Sequence, residues 1–163
     1  MPDPNRPRNF LVATLRMLTA GWVFAAILFV MITVHEITRG GFDSLILDQL
    51  VLLRFPVYYT FTFVLLGGSL LTGLANAMLA SGKRRYLFAF SLILLAVITL
   101  VVDYIFVYCE LVKMLLPLGS PRPQWFRSYH RSTEVMNSVA MLLVLIASLL
   151  LQRNPSVQST DQL

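Results

Sequence analysis

The sequence predicts an all-α integral membrane protein, a compact antiparallel bundle of four spanning helices. Three observations predict it. Hydrophobic residues make up 57% of the 163-residue chain and charged residues only 13%, a balance that suits a bilayer as solvent rather than water. The apolar residues gather in four blocks, 17–34, 55–80, 86–102 and 135–151, that contain no Asp, Glu, Lys, Arg or His. About 20 such residues in a helix cross a hydrocarbon core, and roughly 17 already suffice. A short linker, Ser81-Gly82-Lys83-Arg84-Arg85, joins the second and third blocks, so those helices form a tight antiparallel hairpin. The blocks are continuously apolar and lack the alternation of barrel strands, and a helix satisfies its own backbone groups where lipid cannot.

Residues 1–9, with three prolines and two arginines, read as a disordered arm. The first span covers about 10–35. Arg6, Arg8 and Arg16 before an apolar run resemble a signal peptide, but the run is too long for one and Ile32-Thr33-Val34 lacks the small residues of a cleavage site. Gly40-Gly41 breaks the chain, and Asp43-Ser44 offers an N-cap for a short surface segment over 45–54. The second span covers about 55–81, with Pro56 in its first turn, where a missing N–H costs least. Ser69, Gly73 and Ala77 stand at i, i+4, i+8 in that span, a small-residue stripe suited to helix packing. Asn76 reads as an interhelical hydrogen-bonding group.

The third span covers about 86–116, its uncharged part ending at Asp103. Pro117, Gly119, Pro121 and Pro123 then make an irregular loop. Trp125, Phe126 and Tyr129 form an aromatic belt before the fourth span, about 129–151. Residues 152–163 read as a disordered tail.

Four spans put both termini and the hairpin turn on one side. Lys83, Arg84 and Arg85 lie close to two helix ends, where the positive-inside rule has most force, so both termini are expected in the cytoplasm of a plasma or inner membrane. The net charge of +5 then reflects lipid headgroups and topology, not nucleic acid. A bilayer is the expected partner, with a second copy or another subunit besides. The lone Cys109 supports neither an internal disulfide nor a thiolate metal motif.

Acids are distributed unevenly. Glu36, Asp43, Asp48, Asp103, Glu110 and Glu134 fall on the outer side, and only Asp3 and Asp161 on the inner. His130, Glu134 and Asn137 are spaced i, i+4, i+7, which puts imidazole, carboxylate and amide on one helix face. Asp103 and Glu110 share the same logic at i, i+7. At about 1.5 Å per residue, His35, Asp103 and Glu134 come to similar depth, and Tyr59 opens the second span nearby. His130, Glu134, Asn137, His35, Tyr59 and Asp103 are therefore the candidate polar site, because ionisable groups near a membrane core mark ion paths and proton relays. Helix capping and interfacial anchoring is the plainer alternative for the same residues.

No cofactor is expected. Zinc held by His35, His130 and Glu134, or haem between His35 and His130, are the alternatives, but no metal motif supports the first and neither helix carries a second histidine for the other. No nucleophile sits in a recognised motif, so no enzymatic activity is expected.

Several segments resemble a known family. Gly21-Trp22 with Phe24, Leu28 and Phe29, then Arg54-Phe55-Pro56-Val57-Tyr58-Tyr59, then Phe126, His130, Ser132 and Asn137, are similar to the transmembrane protein 205-like family, a domain of unknown function. The resemblance implies a four-span membrane protein and extends from the first span to the end of the fourth. Involvement in metal-drug resistance has been suggested for members. The acidic end of the third span, with Asp103 and Glu110, departs from the family's pattern. The expected function is a multi-pass, transporter-like or accessory subunit with an outer site for a cation or proton. A haem-carrying redox protein and a purely structural partner are the alternatives.

Overall fold

The computed structural model describes residues 6–79 and 84–152. It is all-helical, with α1 over Arg6–Arg39, α2 over Ser44–Leu79, α3 over Arg84–Val102, a π-helical segment over Asp103–Tyr108, α4 over Cys109–Leu115 and α5 over Phe126–Gln152. Helix α3, the π segment and α4 run on as a single rod, so four helices are long and apolar enough to cross a membrane. In the bundle α1 packs on α2 and α5, and α3 packs on α2 and α5, which is the square of a four-helix bundle. Residues 81–83 of the expected hairpin turn and most of the N-terminal arm and C-terminal tail lie outside the described residues, although residues 6–9 belong to α1 and Arg84 and Arg85 to α3.

Local signals set most helix ends. Gly41 takes a left-handed φ of 61° between α1 and α2, a conformation glycine adopts without a Cβ penalty. Asp43 then caps α2, its carboxylate accepting the Ile46 amide at 2.8 Å. The expected break before Pro56 does not occur: the segment over 45–54 is the first third of α2, and Pro56 lies inside the helix. Side chains support this stretch. Arg54 Nε donates to the Leu50 carbonyl at 3.3 Å, the Thr60 hydroxyl donates to the Pro56 carbonyl at 2.8 Å, and Arg54 also forms an ion pair with Glu36 of α1. Neither hydrogen bond serves the Leu52 carbonyl, which loses its helical donor at Pro56, and the helix runs on through the proline, as membrane helices tolerate.

The core is a seam between α3 and α5. Ala89, Ile93, Ala96 and Leu100 on α3 are buried, as are Thr133, Ala140, Val144, Ala147 and Leu151 on α5. Ala89 and Ala147 share one buried cluster. Ala96 and Ala140 share the next, together with Trp22, Val23, Ala26 and Leu66 from α1 and α2. Alanine every seventh residue on both helices lets two backbones approach closely, and the larger residues between fill the space. Trp22 is bound into this layer by its indole N–H, which donates to the Thr62 hydroxyl at 2.9 Å. Near the terminal end, Arg16 Nε donates to the Leu151 carbonyl at 2.7 Å, serving an orphan acceptor in the last turn of α5.

The small-residue stripe of α2 is only partly used. Ser69 is buried, and a Cβ on Gly73 would come within 3.0 Å of Phe90 on α3, so this face does pack. Ala77 is partly exposed, because the stripe drifts off the buried side toward the helix end. Asn76 is buried with neither amide atom hydrogen-bonded.

The seam predicts an asymmetry between neighbouring residues of α3. Ala96→Leu should destabilise the protein by about 1–3 kcal/mol through overpacking. Leu95→Ala, on the exposed face, should stay within about 0.5 kcal/mol. Reversible unfolding in mixed micelles measures both, and equal effects would contradict the packing described.

Candidate functional site

The third rung of the seam is polar. Asp103 follows Ala89 and Ala96 at the same seven-residue interval, and Thr133 precedes Ala140 and Ala147 likewise. The Thr133 hydroxyl donates to Asp103 Oδ2 at 2.9 Å. Asp103 is fully buried. Tyr59 of α2 donates its hydroxyl to the same oxygen at 2.6 Å, and Asn137 Nδ2 does so at 2.6 Å. Tyr58 in turn donates to Asn137 Oδ1 at 3.1 Å, which orients the amide with its NH2 toward the carboxylate. The other carboxylate oxygen, Oδ1, is buried with no partner.

Asp103 also begins the π-helical segment. Buried positions on this rod step by three or four through 89, 93, 96, 100 and 103, then by five to Tyr108, then to Leu111 and Leu115. A π turn absorbs such an extra residue and occurs often at functional sites. It brings Tyr108 inward where a regular helix would have placed Val107. Tyr108 completes an aromatic tier around Tyr59, with ring centroids 4.8 Å apart, and Tyr104 lies 5.0 Å from Tyr59. Phe55 and Phe63 flank the same rings. This tier closes the site with apolar surface, so Asp103 has no water-like surroundings to stabilise its charge.

The acids near this end of the bundle are otherwise matched. Glu36 pairs with Arg54, Asp48 with Arg122, Glu110 with Lys113 and Glu134 with His130, while Asp43 caps α2. Among the described residues Asp103 is the buried acid whose partners are all uncharged. Burial of a carboxylate among neutral groups costs several kcal/mol unless a proton or cation accompanies it.

Beside the site lies a cleft of about 430 Å³ between α1 and α5. Thr133 and Asn137, two of the donors to Asp103, form part of its wall together with Tyr58, which donates to Asn137, so these residues stand between the carboxylate and the cleft. Phe29 and Tyr58 stack within it at 4.4 Å. His130 and Glu134 stand on its edge.

The structure thus brings three of the sequence-derived candidates, Asp103, Tyr59 and Asn137, into one hydrogen-bonded group. His130 and Glu134 do not face the bundle interior. They pair with each other at 3.1 Å, with side chains 51% and 60% exposed, because the buried stripe of α5 runs through Thr133 and Asn137 one position aside. His35 is exposed on α1 and does not line the cleft. The two imidazoles needed for haem, or the three ligands proposed for zinc, are therefore not brought to one cavity. Glu110 likewise leaves the face of Asp103, since the π turn rotates it outward to Lys113 at 2.6 Å. Thr133 and Tyr58 were not among the sequence candidates. The seven-residue ladder through 89, 96 and 103 and through 133, 140 and 147 was the signal that would have found Thr133.

Searches of family models, of curated proteins and of solved structures gave no match.

The converging donors predict a coupling that a packing role alone would not give. Tyr59→Phe should cost about 1–3 kcal/mol in the presence of Asp103. The same change on an Asp103→Leu background should cost clearly less, leaving a coupling energy near 1 kcal/mol or above. A double-mutant cycle by unfolding in micelles reads it, and additivity would contradict the shared hydrogen bond.

Proposed function

We propose that this multi-pass membrane protein is a transporter-like subunit whose Asp103 carboxyl takes and releases a proton within the bundle. The observation that carries the proposal is Asp103 itself: fully buried, held at Oδ2 by three neutral donors, and bare at Oδ1.

The donor set favours a proton over a metal cation. Tyr59, Thr133 and Asn137 all point hydrogens at the carboxylate, whereas hard cations need several oxygen acceptors turned inward. Three donors stabilise the charged form on one oxygen, and protonation at Oδ1 relieves the burial of that charge without dismantling them. A carboxyl with donors for its charged form and a free oxygen for the proton has the two states that a proton carrier requires. Tyr58, Asn137 and Thr133 connect the carboxyl to the cleft wall, and Glu134 and His130 stand exposed along the same cleft.

The same reading places both termini in the cytoplasm, supported by Lys83, Arg84 and Arg85 beside two helix ends. It includes membership of the transmembrane protein 205-like family, supported by the fact that Tyr58, Tyr59 and Asn137, which carry part of the resemblance, are site residues here. An associated subunit remains part of the proposal through the exposed face of α2.

Difference infrared spectroscopy across a pH jump tests the assignment. A carboxyl carbonyl band that follows pH is expected in the native protein, absent from Asp103→Asn and retained in Glu134→Gln. In proteoliposomes, proton flux should fall in Asp103→Asn to the level of protein-free vesicles. An unchanged band and unchanged flux in Asp103→Asn would remove Asp103 from the role.

A further inference from the structure

The cleft between α1 and α5 has a composition that the proton site does not require. We infer that it binds a lipophilic organic cation, with the aromatic rings of Phe29, Phe55 and Tyr58 and the carboxylate of Glu134 as its recognition elements. The inference deepens the reading of Asp103 as a proton site, and rests on that reading for coupling only. Binding rests on the cleft.

Size and shape come first. The lining residues run from Ala26 to Ile37 on α1 and from His130 to Met141 on α5, about 16 Å of each helix. The cavity of about 430 Å³ falls within the range of roughly 300–1,000 Å³ that holds small organic molecules. Its two walls differ. The α1 side offers mainly alkyl surface, Val30 and Val34 among it, while the α5 side presents hydroxyl, amide and carboxylate groups. A molecule lying there meets apolar surface on one flank and polar groups on the other, which describes an amphiphile.

Charge decides the class. Glu134 is the acid that lines the cleft, and neither lysine nor arginine lines it. Glu134 meets His130, not a fixed cation, at 3.1 Å. Of the cations at this end, Arg54, Arg122 and Lys113 are engaged by Glu36, Asp48 and Glu110, and Arg39, Arg127 and Arg131 do not line the cleft. Three aromatic rings stand together in the wall, Phe29 stacked on Tyr58 at 4.4 Å and edge-on to Phe55 at 5.1 Å. Ring faces attract cations, most strongly where water is displaced. An anionic amphiphile would meet Glu134 and the same ring faces without compensation. A neutral one would leave both unused.

The test uses the full-length protein in non-ionic detergent with tetraphenylphosphonium as probe and triphenylphosphine oxide as its uncharged counterpart. Equilibrium dialysis should show saturable binding of tetraphenylphosphonium, about tenfold tighter than the oxide. Glu134→Gln should remove most of that preference. Val30→Trp, which fills the cleft from a partly lipid-exposed position, should abolish saturable binding of both. Equal affinity for the two probes, an unchanged preference in Glu134→Gln, or a tightly held phospholipid that saturating probe does not displace in native mass spectra would overturn the inference. Proton release into unbuffered solution on binding is read separately. Binding without release leaves the cation cleft standing and counts against coupling to Asp103, while release without charge preference does the reverse.

Discussion

The register of α3 against α5 is the constraint on which the rest of the structure depends. Three rungs repeat every seven residues, alanine facing alanine twice and then aspartate facing threonine. Within lipid there is little hydrophobic drive between helices, so close approach of small residues and interhelical hydrogen bonds supply the association. The two alanine rungs bring the backbones together. That closeness is what carries the carboxyl of Asp103 to the threonine hydroxyl and keeps solvent out. A displacement by one heptad would leave the carboxylate against alkyl side chains, and a buried charge without donors is among the costlier faults a membrane bundle can hold. Packing and polar chemistry therefore specify the same register.

The π segment follows from the same requirement. A regular helix continuing past Asp103 would carry Val107 to the interior. The extra residue turns Tyr108 inward instead and sends Glu110 to the surface, where Lys113 meets it. One local irregularity thus does two things, closing the site with aromatic surface and removing a second acid from it. Elsewhere at this end each acid has a basic partner or a capping role. The isolation of Asp103 is a property of the whole arrangement.

Much of the fold was legible in the sequence because the uncharged blocks are long and the bilayer leaves few alternatives for them. The four spans, the cap at Asp43 and the glycine break at Gly41 followed from local chemistry. Pro56 misled because a proline usually begins a helix, while here the helix begun at the Asp43 cap runs on through it. Depth brought Asp103, Tyr59 and His35 into the candidate list, and helical spacing brought Asn137 together with His130 and Glu134. Neither depth nor spacing within one helix says which way a helix face turns in the bundle. The buried stripe of alanines does say so, and it points to Thr133 rather than Glu134. The π turn was not legible, as nothing in Asp103-Tyr104-Ile105-Phe106-Val107-Tyr108 distinguishes it from an ordinary apolar helix.

Cross-linking between paired cysteines tests the register most directly. On a Cys109→Ser background, the pairs Ala89→Cys with Ala147→Cys and Ala96→Cys with Ala140→Cys should form disulfides rapidly with a membrane-permeant oxidant. The pairs Ala89→Cys with Ala140→Cys and Ala96→Cys with Ala147→Cys are offset by one heptad, about 10 Å along the axis, beyond the reach of a disulfide, and should not. Equal cross-linking of matched and offset pairs, or of offset pairs alone, would contradict the seam and with it the placement of Asp103 opposite Thr133.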